Sequence, residues 1–307
     1  MSEQTIDVGK RRLEVANLDD VIFPEAGITQ GGLIDVYRRL ADTILPHLEG
    51  RPLTMQRFPD GIDEEGWYQR EAPDYFPDWI TRVSVAVKQD DGEQVQVMCD
   101  DQATLVYLVD QGLVTPHIWL SRADRLDYPD KLIFDLDPAD GDFEPVRFAA
   151  RSLRELLSEL RLTSFLMTTG SRGAHVVVPL DRSANFDTAR AFAKDVAAVL
   201  ASRYPDRLTV EMRKADRRGR LFLDYLRNAY GQNSVAPYAV RAKPGAPVAT
   251  PLDWNELGEG SLHSQTYTLS NIFRRLGQKD DPWADIMRQP FSLNQARSRL
   301  DGMVEGG

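Results

Sequence analysis

The stretch Leu132-Ile133-Phe134-Asp135-Leu136-Asp137 sets two aspartates into an apolar run. Such a run of β-forming residues predicts a buried strand over 132–137. Because Asp135 and Asp137 are two positions apart, both carboxylates leave the same face of that strand. Like charges this close repel one another unless cations bind beside them. The stretch therefore predicts a central strand and a candidate cation site.

The elements after this strand follow from hydrophobic periodicity and turn residues. They are a helix at 144–160, strands at 164–168 and 174–179 around a tight TTGSRG turn, a helix at 186–204, and a strand at 220–225 with 208–212 as its expected partner. Their order is that of the split βαβ or ferredoxin-like unit. The first and last strands of that unit are neighbours, which would bring Asp224 next to Asp135.

The rest of the chain is less regular. We predict a turn into a short strand at 17–23, a helix at Gln30–Leu48, a hairpin of 80–87 and 94–98 around Asp90-Asp91-Gly92, a helix at 102–111, an extended run at 117–120, and short helices over 257–307, one starting at the Asp281 of DPWADIM. The predicted fold class is α+β, with the split βαβ sheet packed against a second mixed α/β subdomain. The expected subdivision is 1–123, 124–255 and 256–307.

Composition excludes several classes of protein. The single cysteine, Cys99, excludes a disulfide framework and a thiol-rich metal site. No apolar run is long enough to span a bilayer and the N-terminus lacks a signal-peptide core, so we expect a cytoplasmic protein without a membrane partner. The net charge of -10 argues against broad nonspecific wrapping of nucleic acid, but it permits a local basic track.

Asp135, Asp137 and Asp224 form the candidate catalytic and metal-binding constellation. Three carboxylates without clustered His or Cys favour Mg²⁺ or Mn²⁺ over zinc, and two such ions can activate a hydroxyl and stabilise a leaving pyrophosphate. Two other interpretations stay open: the aspartates could cap the turn after the strand, or the pattern could belong to a haloacid-dehalogenase-type phosphatase. Ala139, where that phosphatase class usually has Thr or Val, and the direct step between two strands both disfavour the phosphatase.

Two further segments carry phosphate-binding chemistry. In TTGSRGAH, residues 168–175, two glycines allow close approach of a ligand, and hydroxyls, N–H groups and Arg172 can bind phosphate oxygens. Most turns of this kind are only hairpin connections, and His175 could be a structural histidine. RKADRRGR, residues 213–220, has five basic residues just before Asp224 and is either a solvated hairpin turn or a phosphate-binding segment.

The motifs FDLDP (134–138), TTGSRGAHVVVPL (168–180) and RLFLDYLRN (220–228), followed by APYAVRAKPGAPVATPL (236–252), resemble the archaeo-eukaryotic primase superfamily. More closely, they resemble the polymerase domain of bacterial ligase D, over nearly the whole chain. The resemblance implies a primase-polymerase that adds nucleoside triphosphates, generally ribonucleotides, to a DNA 3′ end in repair or end joining. It also implies two bound ions, Mn²⁺ or Mg²⁺.

The resemblance assigns roles to individual residues. Asp135, Asp137 and Asp224 would be the catalytic metal ligands, and Tyr68 would stack on the incoming base. The nucleotide would be bound by Arg57, Tyr68, His117, Thr169, Ser171, Arg172, Gly173, His175 and Arg241. Nucleic acid would be contacted by Asn17, Arg213, Lys214, Arg217, Arg218 and Arg220. For Arg57, Tyr68, His117 and Arg241 the alternative role is core packing or surface charge.

The chain also departs from the family pattern. Asp20 and Gln30 stand where the family commonly has two lysines that bind a 5′-phosphate at a gap or break, so altered recognition of that phosphate is expected. Gln56 and Arg172 replace usual lysines, and Arg227 stands where many members have Gln.

The leading functional hypothesis is templated extension of a primer. Its alternatives are a primase that starts chains de novo and a non-catalytic nucleic-acid binding module with a vestigial site. The expected partners are a DNA primer–template or broken DNA end, nucleoside triphosphates, a Ku-like end binder and a separate ligase, because no ligase or nuclease segment follows in this chain. The expected location is the cytoplasm, in association with the nucleoid.

Overall fold

The computed structural model describes residues 3–87, 92–138 and 141–305. The chain forms two compact units. The first comprises Met1–Trp119, Asn233–Ala249 and Tyr267–Lys279, and the second comprises Leu120–Gln232, Thr250–Thr266 and Asp280–Gly307. The units differ from the contiguous subdivision expected at 123 and 255, because Asn233–Ala249 and Tyr267–Lys279 belong to the first unit.

The secondary structure of the described residues comprises strands, α-helices and short 3-10 helices. The strands are β1 (Gln4–Val8), β2 (Arg11–Val15), β3 (Val21–Phe23), β4 (Ile28–Thr29), β5 (Leu53–Arg57), β6 (Trp67–Gln69), β7 (Arg82–Val87), β8 (Gly92–Val97), β9 (Leu113–Trp119), β10 (Lys131–Asp137), β11 (Phe165–Thr168), β12 (Ala174–Pro179), β13 (Leu208–Thr209), β14 (Leu221–Asp224), β15 (Asn233–Val235) and β16 (Thr250–Leu252). The α-helices are α1 (Gln30–Leu48), α2 (Gln102–Asp110), α3 (Glu144–Glu159), α4 (Phe186–Arg203), α5 (Ile272–Gln278) and α6 (Leu293–Glu305). The 3-10 helices are Ala123–Arg125, Lys214–Arg217 and Trp254–Gly258.

The second unit is built on a six-stranded sheet with the order β13-β14-β10-β12-β11-β16. Strand β10 pairs antiparallel with both β12 and β14, and β11 pairs antiparallel with β12. Together with α3 and α4 these strands form the predicted split βαβ unit, whose first and last strands are neighbours. Strand β13 extends the sheet parallel to β14, and β16 extends it antiparallel to β11.

Strand β10 lies at the centre of this sheet because its apolar side chains are buried. Leu132, Phe134 and Leu136 have no exposed surface, and both α3 and α4 contact the strand. Burying each such side chain contributes about 1.5–3 kcal/mol. The acidic residues of β10 are thus carried by one of the best-packed strands of the unit.

The first unit contains an antiparallel four-stranded sheet, β15-β9-β5-β6, and the hairpins β1-β2, β3-β4 and β7-β8. Helix α1 begins after Thr29, whose side chain accepts a hydrogen bond from the Gly32 N–H at 3.2 Å. Tyr37 of α1 is fully buried; its hydroxyl donates to the Val114 carbonyl at 2.6 Å and accepts from the Val240 N–H at 3.1 Å. This hydroxyl ties the returning segment to the unit.

Most predicted elements are confirmed. Helix α1 and strand β12 have the predicted bounds, and β7 and β8 form the predicted hairpin, although Asp90 and Asp91 lie outside the described residues. No helix in the described part of the chain is long and apolar enough to cross a membrane.

Two local predictions are wrong, and a third is too short. Residues 213–220 are not a hairpin turn, because the flanking β13 and β14 are parallel and the segment contains a 3-10 helix. DPWADIM forms turns instead of a helix, although Asp281 does accept the Trp283 N–H at 2.9 Å. The extended run predicted at 117–120 is confirmed as far as Trp119, but it is the end of a longer strand, β9.

Asn228 ties β10 to the turn that follows β14. Its Nδ2 donates to the Ile133 carbonyl at 2.7 Å and to the Tyr225 carbonyl at 2.9 Å, while its Oδ1 accepts the Ile133 N–H at 2.8 Å. The pairing of β10 with β14 ends at Asp135 and Asp224. Beyond that point the side-chain amide of Asn228, instead of a strand backbone, forms the hydrogen bonds to Ile133. Asn228 therefore helps to fix the strand of Asp135 relative to that of Asp224.

Replacing Asn228 with Ala tests this tie. The substitution leaves the buried N–H and C=O of Ile133 without their partner, so the free energy of unfolding should fall by about 2–4 kcal/mol. Urea unfolding followed by circular dichroism measures the change, with the exposed Asn255→Ala as the control. Equal stability of the two variants would show that Asn228 does not hold the strand.

Candidate active site

Three neighbouring strands of the second unit place one polar residue each in a row across the sheet. Asp135 on β10 lies opposite Asp224 on β14 and opposite His175 on β12. Directly opposed residues of antiparallel strands share a face, so these side chains project from the same side. Asp137, two positions further along β10, joins them. The topology thus places the three aspartates on one face of the sheet.

Basic side chains face the carboxylates. The Nε2 of His175 lies 3.5 Å from Oδ1 of Asp135, and the Nε of Arg227 lies 3.5 Å from its Oδ2. Arg172 donates from Nη2 to Oδ2 of Asp137 at 3.2 Å. The site therefore contains both anionic and cationic side chains. The carboxylates can bind a metal ion, and the basic side chains can bind a phosphate group.

Burial and neighbouring charges shift the pKa values of the three carboxylates in different directions. Burial alone would raise the pKa of Asp135, but the charges of His175 and Arg227 hold that pKa below its usual range. Burial raises the pKa of Asp137, and the charge of Asp135 raises it further. Burial also raises the pKa of Asp224, with a further contribution from Asp135. Two of the three anions are thus destabilised in a way that added positive charge would relieve.

The residues present fit a hard divalent cation. The donors are carboxylate oxygens, and Oδ1 of Asp135 is buried without a hydrogen bond. As the side chains stand, no three His, Cys, Asp or Glu residues in the described ranges gather closely enough to hold an ion. Arg172, His175 and Arg227 lie against the carboxylates instead.

The turn at 169–173 approaches β10 very closely. Thr169 donates from both its N–H and its hydroxyl to the Gly173 carbonyl, at 3.0 and 3.1 Å, and Gly170 adopts a φ of +65°. A Cβ at Gly173 would lie 1.9 Å from the Leu136 carbonyl oxygen and 2.6 Å from Oδ1 of Asp137. Only glycine permits this approach, which places Arg172 beside the carboxylates.

A distant segment braces this turn. The hydroxyl of Ser264 donates to the Gly173 carbonyl at 2.8 Å and lies 3.2 Å from the hydroxyl of Thr169. Gln265 donates from Nε2 to the Ser171 carbonyl at 2.8 Å. Sequence reasoning missed both residues because they are more than ninety positions away from the turn. No local pattern signals such a contact.

A pocket of about 400 Å³ opens at the carboxylates. Its acidic lining is Asp135, Asp137 and Asp224, and its basic lining is Arg172, Lys214, Arg217, Arg220 and Arg227. The five basic residues outnumber the three carboxylates. A pocket of this charge suits a polyanion that arrives with cations.

The basic residues at 213–220 differ in what their side chains contact and in whether they line the pocket. Arg217 and Arg220 line the pocket, but their guanidinium groups also donate to backbone carbonyls of residues 205–217 at 2.9–3.3 Å. These two arginines therefore shape the segment. Lys214 is exposed and lines the pocket, whereas Arg213 and Arg218 are exposed but are not part of its lining.

In the first unit, Arg57 has a structural role. Its guanidinium donates to the Gln111 carbonyl at 2.8 Å, to Oε1 of Gln69 at 2.5 Å and to the Tyr75 hydroxyl at 3.3 Å. It also lies over the Trp67 ring, 5.2 Å from the centroid. A triphosphate would have to compete with these partners, so core packing accounts for Arg57 as it stands.

The other candidates of the first unit are placed as follows. Tyr68 is 57% exposed, and its ring stands edge-on to His117 with the centroids 5.4 Å apart. That exposure leaves Tyr68 available for stacking. Arg241 is partly buried. Asn17 is exposed with a φ of +57°, and its carbonyl accepts the Asp20 N–H at 3.0 Å, so it forms a turn.

Comparison with solved structures defines the class of protein. The polymerase domain of Mycobacterium tuberculosis ligase D, solved in complex with DNA, matches with a TM-score of 0.85 and 28% sequence identity, over 92% of this chain and 100% of that one. The fold is thus that of a polymerase domain.

The family follows from the sequence. The family model described as LigD, primase-polymerase domain, matches residues 29–283, which is most of the chain. The chain belongs to the LigD primase-polymerase domain family, as its motifs predicted.

Curated relatives are larger proteins. The multifunctional non-homologous end joining protein LigD of Pseudomonas aeruginosa is 32% identical over 293 residues, covering 94% of this chain and 34% of that protein. The multifunctional non-homologous end joining DNA repair protein LigD of Mycobacterium tuberculosis is 30% identical over 281 residues, covering 89% of this chain and 36% of that protein. The bifunctional non-homologous end joining protein LigD of Bacillus subtilis is 29% identical, covering 91% and 45%. This chain spans less than half the length of each.

Replacing Gly173 with Ala tests the close approach of the turn. Because the new Cβ would overlap the Leu136 carbonyl, the turn must shift, and the free energy of unfolding should fall by about 1–3 kcal/mol. Gly302→Ala is the matched control, since a Cβ at that helical position meets nothing within 4 Å. Chemical denaturation compares the two, and a Gly173 variant as stable as the control would contradict this packing.

Proposed function

We propose that this chain is a DNA-dependent nucleotidyltransferase that adds nucleoside triphosphates to a DNA 3′ end during repair or end joining. The observation that carries the proposal is the register that sets Asp224, Asp135 and His175 side by side at a pocket rich in basic residues. DNA as the substrate is inferred from the relatives, one of which was solved with DNA and others of which are end joining proteins. Preference for ribonucleotides is inferred from the family motifs.

Asp135, Asp137 and Asp224 would hold two divalent cations, Mn²⁺ or Mg²⁺. When bound, such ions supply activation of the attacking hydroxyl and stabilisation of the departing pyrophosphate. The chain's own part is to keep three carboxylates on one sheet face beside Arg172, His175 and Arg227. Asp137 would have to turn away from Arg172, which frees that guanidinium for a phosphate oxygen.

The triphosphate would be bound by the turn at 169–173 and its neighbours. Ser171 and Arg172 would offer a hydroxyl, N–H groups and a guanidinium, and Ser264 and Gln265 would keep the turn in place before the ligand arrives. Donors fixed in advance lose little entropy on binding and stabilise charge as it develops. Tyr68 would stack on the incoming base, with His117 against its ring.

The partners of the reaction are part of the same proposal. A broken DNA end or primer–template and nucleoside triphosphates would be the substrates. A Ku-like end binder and a DNA ligase would act before and after this chain, because ends must be held together and the extended strand must then be sealed. The protein would work at the nucleoid.

Neutralising the acidic site tests the proposed chemistry. Asp135→Asn and Asp137→Asn should each lower the rate of primer extension by about a hundredfold to a thousandfold, the usual loss when one electrostatic stabiliser of a transition state is removed. The assay follows a labelled primer on a DNA template with ribonucleoside and deoxyribonucleoside triphosphates and Mn²⁺. Asp206→Asn, an exposed aspartate outside the pocket, is the matched control.

Two outcomes would overturn this assignment. The first is unchanged extension by the Asp135 and Asp137 variants, and the second is no extension by the folded wild-type protein. An unprimed template incubated with a labelled nucleoside triphosphate separates the alternative of de novo priming, since only a primase yields labelled product there.

The residues at positions 20 and 30, where the family commonly has lysines, lead to a second prediction. Asp20 is exposed and acidic, and Gln30 is 5% exposed with its Nε2 donating to the Val109 carbonyl at 2.8 Å. Neither side chain offers a cation to a phosphate. We therefore expect extension on gapped DNA to proceed at the same rate with and without a 5′-phosphate on the downstream strand.

The control for this prediction is Asp20→Lys, which restores one positive charge at an exposed position. Its affinity for gapped DNA should rise only when the downstream strand carries the phosphate, as measured by fluorescence anisotropy. A strong dependence of the wild-type rate on the 5′-phosphate would mean that other residues recognise it.

A further inference from the structure

Helix α3 carries a row of arginines that the acidic site does not use. Arg147, Arg151 and Arg154 are spaced four and three residues apart, so they share one face of the helix. Arg147 is buried and donates to the carbonyls of Leu257 and Leu262, the latter at 2.9 Å. Arg151 is exposed and donates to the Leu257 carbonyl at 3.2 Å. The row thus passes from a structural arginine to solvent-facing ones.

The exposed end of this row is held in place by Trp254. The guanidinium of Arg154 lies over the indole, 4.9 Å from its centroid, and the indole N–H donates to the Ser164 carbonyl at 2.7 Å. The ring and the cation on it therefore have a fixed position. Arg161, which follows the helix with a φ of +60°, is also exposed.

These side chains line one continuous groove. Two cavities, of about 320 and 920 Å³, share Arg154, Ser158 and Trp254. We call it the arginine groove and define it by Arg151, Arg154, Ser158, Arg161, Thr163 and Trp254.

The arginine groove is positively charged although the chain carries a net charge of -10. Of the acidic residues in its lining, Glu159 is already neutralised by Arg203 through two hydrogen bonds of 2.9 and 2.7 Å. Glu155 therefore stands against three arginines. A surface of this sign on an acidic protein attracts an anionic ligand.

The lining favours a phosphodiester backbone over an acidic protein. Protein partners bind through an apolar core surrounded by a polar rim, but the aliphatic residue of this lining, Leu162, is only 3% exposed. The arginine groove offers guanidinium groups and the hydroxyls of Ser158 and Thr163. These are the donors that contact phosphates in protein–DNA complexes.

The arginine groove is separate from the acidic site. Strand β11 runs parallel to β10, since both are antiparallel to β12. Residues 161–164, just before β11, therefore lie at the edge of the sheet where β10 starts, whereas Asp135 and Asp137 lie near its end. Helix α3 connects the two edges and is about 24 Å long, a length that corresponds to about seven base steps of duplex DNA.

We propose that the arginine groove binds the phosphodiester backbone of duplex DNA away from the 3′ end that enters the acidic site. This inference rests on the proposed function in taking DNA as the substrate. It adds a second DNA contact, which would give affinity without reading sequence.

The test is the salt dependence of DNA binding by the double variant Arg154→Gln/Arg161→Gln. Each phosphate contact contributes about 0.9 to the slope of log affinity against log salt, so the slope should become shallower by roughly 1–2. Fluorescence anisotropy with a long duplex that has a recessed 3′ end measures it. Arg190→Gln, an exposed arginine of α4 outside the groove, is the control and should keep the wild-type slope.

Three comparisons complete the design. Primer extension by the double variant on a short duplex should equal that of wild type, which shows that the acidic site is intact. The double variant Asp135→Asn/Asp137→Asn should keep the wild-type slope, so a loss of catalysis and a loss of groove binding are told apart. An unchanged slope for the Arg154/Arg161 variant would overturn the proposal. If that variant had also lost binding of a polyglutamate peptide, the groove would be assigned to an acidic protein instead.

Discussion

Two aspartates, Asp135 and Asp137, stand on the buried strand β10. Asp135 is only 8% exposed, and a carboxylate in such a place is costly unless charges or hydrogen bonds compensate for the lost water. The neighbouring strand β12 supplies His175, and the turn after β14 supplies Arg227. The strand order is therefore tied to the electrostatics of the site, because exchanging β12 or β14 for another strand would leave the carboxylate uncompensated.

The arginines of this chain have two kinds of role. Arg57, Arg147, Arg217 and Arg220 donate to protein carbonyls or side chains and hold loops in place. Others present their charge to open space, at the acidic pocket and in the arginine groove. Counting basic residues in the sequence cannot separate these groups. An acidic protein can therefore carry two local cationic surfaces without being a general binder of nucleic acid.

The sequence predicted the elements whose signal is local. Helix α1 and strand β12 follow from periodicity, and the meeting of Asp135 with Asp224 follows from the topology of the split βαβ unit. Strands β5, β6 and β16 were missed because short strands depend on distant partners. Ser264 and Gln265 reach the turn at 169–173 only through the folded chain. At DPWADIM the cap was recognised, but a cap does not make the following residues helical, since helix formation needs several turns to become favourable.

Asp135, Asp137 and Asp224 are proposed to form one cation-binding site. Titration of Mn²⁺ into the protein, followed by the loss of the free-ion signal in electron paramagnetic resonance, tests it without any need for DNA or turnover. Mn²⁺ binding should be saturable in the wild type and clearly weaker in Asp224→Asn, because Asp224 reaches the site only through the pairing of β14 with β10. Binding that is absent in the wild type, or equal in the two proteins, would contradict it.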